Sequence, residues 1–280
     1  MTLRTAGLTA AAMMAFALNS LLCRAALGAR LVDALSFTSI RLASGALVLA
    51  LLVRGRSGTR GAFAGWRLGA VLFAYALGFS LAYTRITAGV GALLLFGAVQ
   101  VTMIGRGFVA GERPSGREWL GLGLALGGLV GLTFPGLTAP DPVGAVLMLA
   151  AGVAWGTYSL GARAGGQPLA ANAASFACSV PLALLAQGLG FMGMPPKVTA
   201  AGLALAVTSG AVTSGLGYAV WYAAVRGLTA AQAAIVQLSV PPLAALGAVF
   251  LLGESLGARL IVCGVAVLGG IAVAFASRRR

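Results

Sequence analysis

Long apolar runs alternate with short polar connections along the 280 residues of the chain. Ten runs stand out, at about 6–24, 34–53, 66–83, 87–109, 118–135, 143–162, 169–190, 200–222, 229–251 and 258–277. Each is roughly 18–22 residues long, enough for an α-helix to cross about 30 Å of hydrocarbon. Ten such helices take up ~200 residues, so the connections are short and no soluble domain is left over. A helix satisfies its own backbone hydrogen bonds in lipid, and the pattern therefore predicts an all-α polytopic membrane protein. The first run reads on into the next span. Leu22 also stands where a lipoprotein cleavage site before Cys23 needs a small residue, so this run is expected to stay as a helix.

One phrase occurs twice: "GERPSGREW" from Gly111 to Trp119 and "GESLGARLI" from Gly253 to Ile261. A shift of 142 residues aligns Thr87 with Thr229, Gly105 with Gly247, Glu112 with Glu254, Arg117 with Arg259 and Leu126 with Leu268. Upstream, a shift of 139 aligns Phe16 with Trp155, Ser20 with Ser159, Arg24 with Arg163 and Phe37 with Phe176. The chain reads as two five-span units, 1–136 and 142–280, joined at 137–141. Five is odd, so the second unit enters the membrane from the opposite side. Ten helices as two inverted five-helix repeats around a central cavity are the expected architecture, one that recurs in secondary transporters. At the repeated corner, Ser115-x-x-Glu118 behind Pro114 forms a capping-box pattern for the fifth helix, and Ser255 can cap the tenth. Glu112 with Arg117, and Glu254 with Arg259, are expected to pair within their own loops. A latch opening alternately on each face is the sharper reading of the same residues.

Composition agrees with the membrane reading: 60% of residues are hydrophobic and 9% charged, against about 25% charged in a soluble domain. The net charge of +14 is spread between the spans and forms no basic domain, which argues against nucleic acid and for anionic lipid headgroups. With a cytoplasmic N-terminus, thirteen basic residues fall on that face and five on the other (Arg24, Arg30, Arg85, Lys197 and Arg259). This bias places both termini in the cytoplasm. The three cysteines sit singly in apolar runs, and no spacing suggests a metal or a disulfide. The five acids (Asp33, Glu112, Glu118, Asp141, Glu254) lie in or beside loops, and His is absent. The bundle thus offers neither carboxylates nor a base for enzymatic work, and no cofactor is implied.

Polar and aromatic residues that share a helical face mark the expected pathway. The sixth span carries Trp155, Tyr158 and Ser159 on one face, and the first carries Phe16, Asn19 and Ser20 at the matching positions. The third adds Tyr75, Phe79 and Tyr83, the eighth Ser214, Tyr218, Trp221 and Tyr222, and the fourth and ninth Gln100 and Gln237. Tyr83 and Tyr222 lie near span ends, where interfacial aromatics also collect. Pro241 and Pro242 break the ninth span and are the candidate hinge or kink. Arg41 lies about seven residues into the second span, roughly 10 Å along its axis. It either snorkels outward or anchors the carboxylate of a substrate. Its partner under the repeat is Val180, so the repeated architecture does not require the charge. The stripe Gly123-x-x-x-Gly127-x-x-x-Gly131 in the fifth span suits close helix packing or a seam with a second copy, and Gly152-x-x-x-Gly156 is a weaker signal of the same kind.

Ten spans in two halves, with a "GE" corner after the fourth and ninth, resemble the EamA branch of the drug/metabolite transporter superfamily. Within it the chain is most similar to YddG-type exporters of aromatic and other amino acids. The resemblance implies an inner-membrane bundle with a central cavity, the fifth and tenth helices at its periphery, and export of small metabolites. A nucleotide-sugar or drug carrier and a passive pore are the alternatives.

Overall fold

A computed structural model describes residues 2–54, 62–109, 111, 116–134, 139–163, 167–190, 196–228, 233 and 236–276. Among the described residues there is no β-strand, only an isolated antiparallel bridge between Val32 and Val198. The helices are α1 (Leu3–Gly28), α2 (Ala34–Val53), α3 (Ala62–Tyr83), α4 (Ala88–Val109), α5 (Gly116–Thr133), α6 (Pro142–Arg163) and α7 (Pro168–Gly190). They continue as α8 (Ala200–Val225), α9 (Val240–Leu252) and α10 (Ala258–Ala276). Among the described residues seven helices are long and apolar enough to cross a membrane; the apolar stretches of α5, α9 and α10 are shorter. Helix α8 is α-helical over Ala200–Thr208, widens to a π-helix over Ser209–Leu216 and is α-helical again over Gly217–Val225.

Polar side chains start several of these helices. Asp33 accepts from the Ser36 N–H of α2 at 2.8 Å, and Asp141 accepts from the Gly144 N–H of α6 at 2.7 Å. Thr199 accepts from the Gly202 N–H of α8 at 3.1 Å. Each satisfies a donor that the first helical turn leaves without a partner. Pro241 and Pro242 sit in the first turn of α9, behind a turn at Leu238 and Ser239. The interruption is thus a full break, and the prolines begin a helix at positions where a missing N–H costs nothing.

Five connections meet at one end of the molecule. Backbone bonds join Leu31 and Asp33 to Thr199 and Lys197. Arg85 after α3 reaches Asp141 before α6 at 3.6 Å, and Arg24 near the end of α1 meets Glu254 after α9 at 2.9 Å. Arg259 donates to the Gly131 carbonyl of α5 at 3.0 Å and to the Phe134 carbonyl. These last contacts correct the expected pairing of Glu254 with Arg259. Each charge goes to a helix end made available by the fold, since Arg259 is drawn to the negative end of α5 and Glu254 to a cation 230 residues away in sequence. Glu112, Pro114 and Ser115 lie outside the described residues, as does the side chain of Glu118.

The packing has a regular partner pattern. Helix α1 packs on α8 and α9, as α6 packs on α3 and α4; α2 packs on α8, as α7 packs on α3. The pairs α2–α7, α4–α9 and α5–α10 complete it. Exchanging α1–α5 for α6–α10 leaves this set of neighbours unchanged. The glycines with positive φ among the described residues are Gly111 at 91° and Gly253 at 66°, the first residues of the twice-used phrase. After α9 the left-handed turn lets the Glu254 N–H reach back to the Ala248 carbonyl at 3.1 Å, and only glycine enters that region without strain.

Glycines also set the closest approaches. A Cβ on Gly152 would stand 2.7 Å from the Leu95 carbonyl oxygen, and one on Gly156 would stand 3.2 Å from that of Val99, so this pair faces α4. On α5, Gly128 is pressed against α10, where an added Cβ would meet the Cys263 carbonyl at 2.9 Å. Gly123 and Gly127 meet nothing. Gly131, the last glycine of the stripe, does face α10, where an added Cβ would stand 3.3 Å from Cys263 Sγ, so the α5–α10 seam takes in Gly128 and Gly131.

Apolar side chains fill most of the interior, yet many also face outward while several polar ones are buried. Arg41 is 1% exposed and Gln100 and Asn172 are fully buried, whereas Val262 is 68% and Leu185 61% exposed. Apolar side chains on the outside and polar ones within are what lipid around a polar pathway requires.

Candidate functional site

The buried polar residues converge on a small cavity between α1, α3, α4, α6 and α8. Its walls are Phe16, Asn19 and Ser20 of α1, Tyr75 and Phe79 of α3, Leu95 and Phe96 of α4, Trp155 of α6, and Thr213 and Tyr218 of α8. The cavity volume is about 20 Å³, space for one water and far less than a metabolite. Aromatic rings close it. Trp155 stacks on Tyr218 with centroids 5.1 Å apart and lies 4.8 Å from Tyr75, and Phe16 meets Tyr218 at 5.7 Å.

The π-helical stretch of α8 explains how its polar side chains reach this point. An i→i+5 turn brings Thr213 and Tyr218 onto one face, where an α-helix would separate them. Ser209 donates to Asn19 Oδ1 at 2.7 Å, and the Thr213 hydroxyl lies 3.0 Å from the same oxygen. Ser214 turns toward α2 and accepts from Arg41 Nε at 3.3 Å.

Arg41 points into the molecule rather than outward. Its Nη2 donates to the Tyr75 hydroxyl at 3.2 Å. The guanidinium carbon lies 5.4 Å from the Tyr75 ring centre and 5.0 Å from that of Phe79, within cation–π range. Its Nη1 has no hydrogen-bond partner, and among the described residues no carboxylate pairs with it. A buried cation held only by neutral groups is costly, and an incoming anion relieves that cost.

The other sequence-derived candidates do not line the cavity. Tyr83 is fully buried rather than interfacial, stands edge-on to Phe79 at 4.7 Å, and directs its hydroxyl to the Ala88 carbonyl at 3.5 Å. Trp221 meets the edge of Phe16 at 5.9 Å. Tyr158 lies beside Trp155 and donates to Asn172 Oδ1. Ser159 and Tyr222 are half-buried. Gln237 is buried and donates to the Ala233 carbonyl at 3.2 Å. Gln100 is buried with both amide atoms unpaired, one turn along α4 from Phe96.

Several wall residues and their polar neighbours escaped the sequence reading. Thr213 and Ser209 were hidden because a 3.6-residue period selects Ser214 with Tyr218, and only the π-turn adds Thr213. Leu95 and Phe96 look like any apolar residues of a span. Asn172 stood alone in an apolar stretch, although a buried amide in a membrane helix is itself a signal.

A polar, aromatic-walled centre enclosed by long apolar helices is the build of a multi-pass membrane protein. Residues 142–276 match the model of the EamA-like transporter family. Over that stretch, just under half of its length, the chain is similar to a family of membrane transporters. It is 56% identical over 277 residues to an uncharacterized protein of Pseudomonas aeruginosa, covering 98% of this chain and 96% of that one. It also shares its fold with a protein of known crystal structure, at a TM-score of 0.68 and 22% identity, over 96% of this chain and 98% of the other.

Proposed function

We propose that this transporter exports small carboxylate-bearing metabolites, foremost amino acids with aromatic or other apolar side chains, across a bacterial inner membrane with both termini cytoplasmic. Arg41 carries this reading: it is 1% exposed, has no acidic partner among the described residues, and presents an unpaired Nη1 beside the aromatic cavity. The substrate's carboxylate completes the hydrogen bonding of Arg41, while Tyr75, Trp155 and Tyr218 enclose its apolar part. Admission of such a solute requires the rings around the 20 Å³ cavity to separate. Alternating access supplies that motion, with the two halves 1–136 and 142–280 acting as inverted repeats. The exchangeable helix partners and the matched backbone at Gly111 and Gly253 support that reading.

Transport runs down the substrate gradient without proton coupling. Proton-driven carriers place a titrating group inside the membrane. Here Asp33 and Asp141 cap helices at one end of the molecule, and Glu254 is paired with Arg24. Counterflow of aromatic amino acids into proteoliposomes tests the proposal. Saturable exchange supports a carrier, and unsaturable flux without exchange would mark a pore.

A further inference from the structure

We propose that Arg24 and Glu254 form a latch that grips the α3–α4 turn and keeps the Glu254 face of the transporter closed. The latch rests on the alternating-access reading but not on the identity of the substrate. Arg24 Nε donates to Glu254 Oε1 at 2.9 Å. Its Nη1 donates to the carbonyl of Tyr83, the last residue of α3, at 3.0 Å. The other carboxylate oxygen, Oε2, accepts from the N–H of Ala88, the first residue of α4, at 2.8 Å.

The charges fit the helix ends they touch. Arg24 stands at the negative end of α3 and Glu254 at the positive end of α4, and each binds a backbone group that its helix leaves unpaired. Gly28 makes room for the arginine, since a Cβ there would lie 2.9 Å from the guanidinium carbon. The side chains of Arg24 and Glu254 are 24% and 13% exposed, so water screens these charge-assisted bonds less than it would on an open surface.

The contacts link two parts of the bundle. Helix α1 packs mainly on α8 and α9, and α3 and α4 pack mainly on α6, with α9 also lying against α4. Arg24 and Glu254 come from α1 and the end of α9, and Tyr83 and Ala88 from the α3–α4 turn. The cavity begins directly below: Ser20 lines it one helical turn deeper than Arg24, and Tyr83 stands on Phe79, whose ring lies under Arg41. Opening this face moves the α3–α4 turn away from α1 and breaks the bonds to Tyr83 and Ala88. The Arg24–Glu254 pair survives that motion and becomes hydrated, so neither charge is stranded. The same two residue types recur in the sequence repeat at Arg163 and Glu112, the latter outside the described residues.

The test is the rate at which a membrane-impermeant maleimide labels a Ser20→Cys reporter, with Cys23, Cys178 and Cys263 replaced by Ala. It is measured from each face in vesicles of known orientation without substrate. Arg24→Ala and Glu254→Ala are each expected to speed labelling from the Glu254 face about tenfold and to slow it from the opposite face. The double variant should go no further than either single one. The exchanged pair, Arg24→Glu with Glu254→Arg, keeps an ion pair but sets a carboxylate against the Tyr83 carbonyl and a cation against the Ala88 N–H. It is expected to stay fast. Unchanged rates in the single variants would overturn the latch. So would parental rates in the exchanged pair, which mark a plain ion pair, or faster labelling from both faces, which marks loosened packing. A wrong substrate class leaves all these rates as they are, and a failed latch leaves Arg41-dependent transport intact.

Discussion

Arg41 and Tyr75 meet among the packed helices, with Nη2 3.2 Å from the phenolic oxygen and the guanidinium carbon 5.4 Å from the ring centre. Tyr75 thus supplies Arg41 with an acceptor and a π face but no countercharge. A second neutral acceptor, Ser214, occupies Nε, and Nη1 is left over. The arrangement holds a cation in position for an anion and is relieved when one arrives.

Removal of the Tyr75 hydroxyl tests this directly. Tyr75→Phe keeps the ring and takes away the acceptor of Nη2, which is expected to lower stability by about 1–3 kcal/mol. Saturating carboxylate substrate should restore part of the loss, because a ligand that binds the folded state stabilises it. Thermal denaturation in detergent with and without substrate reads both effects. A variant with parental stability would show that the hydroxyl contributes nothing to holding Arg41.

The α4–α6 contact predicts a second stability effect. Gly152→Val places a branched side chain where even a Cβ would stand 2.7 Å from the Leu95 carbonyl oxygen. Overpacking of this kind costs about 1–3 kcal/mol. Gly123→Val, at a position with nothing within 4 Å, is expected to be close to neutral in the same assay.

Orientation follows from the distribution of charge. Single cysteines placed in loops 54–61 and 111–117 are expected to label from the cytoplasm, and one in loop 253–257 from outside. Labelling of 111–117 and 253–257 from the same face would remove the basis for inverted halves.

Energetics gives a further expectation. An imposed pH gradient, without a substrate gradient, should drive no concentrative uptake into proteoliposomes, because the described acids cap helices or pair at one end. Accumulation under those conditions would contradict the uncoupled mechanism.

The helices were legible in the sequence because lipid imposes one rule on every span. The same holds for Trp155 and Tyr158, which share a face in any regular helix. Local rules failed where the backbone or the fold departed from them. The π-turn at Ser209–Leu216 rotates Thr213 into the cavity against its α-helical phase. Arg24 and Glu254 are 230 residues apart, and nothing local distinguishes that pair from the nearer Arg259. The glycine stripe of α5 was visible, but which of its glycines would face α10 depended on how the two helices rotate against each other. Arg41 was conspicuous because a charge within a span has few inexpensive explanations.

Transport by Arg41→Gln tests the central claim most directly. The substitution keeps a long polar side chain but removes the charge and the paired donors that hold a carboxylate. In proteoliposome counterflow of a radiolabelled aromatic amino acid, the variant is expected to lose about 1.5–3 kcal/mol of substrate affinity, roughly ten- to a hundredfold. It should fold and insert like the parent. Counterflow at the parental half-saturation concentration would place the carboxylate elsewhere and contradict the account.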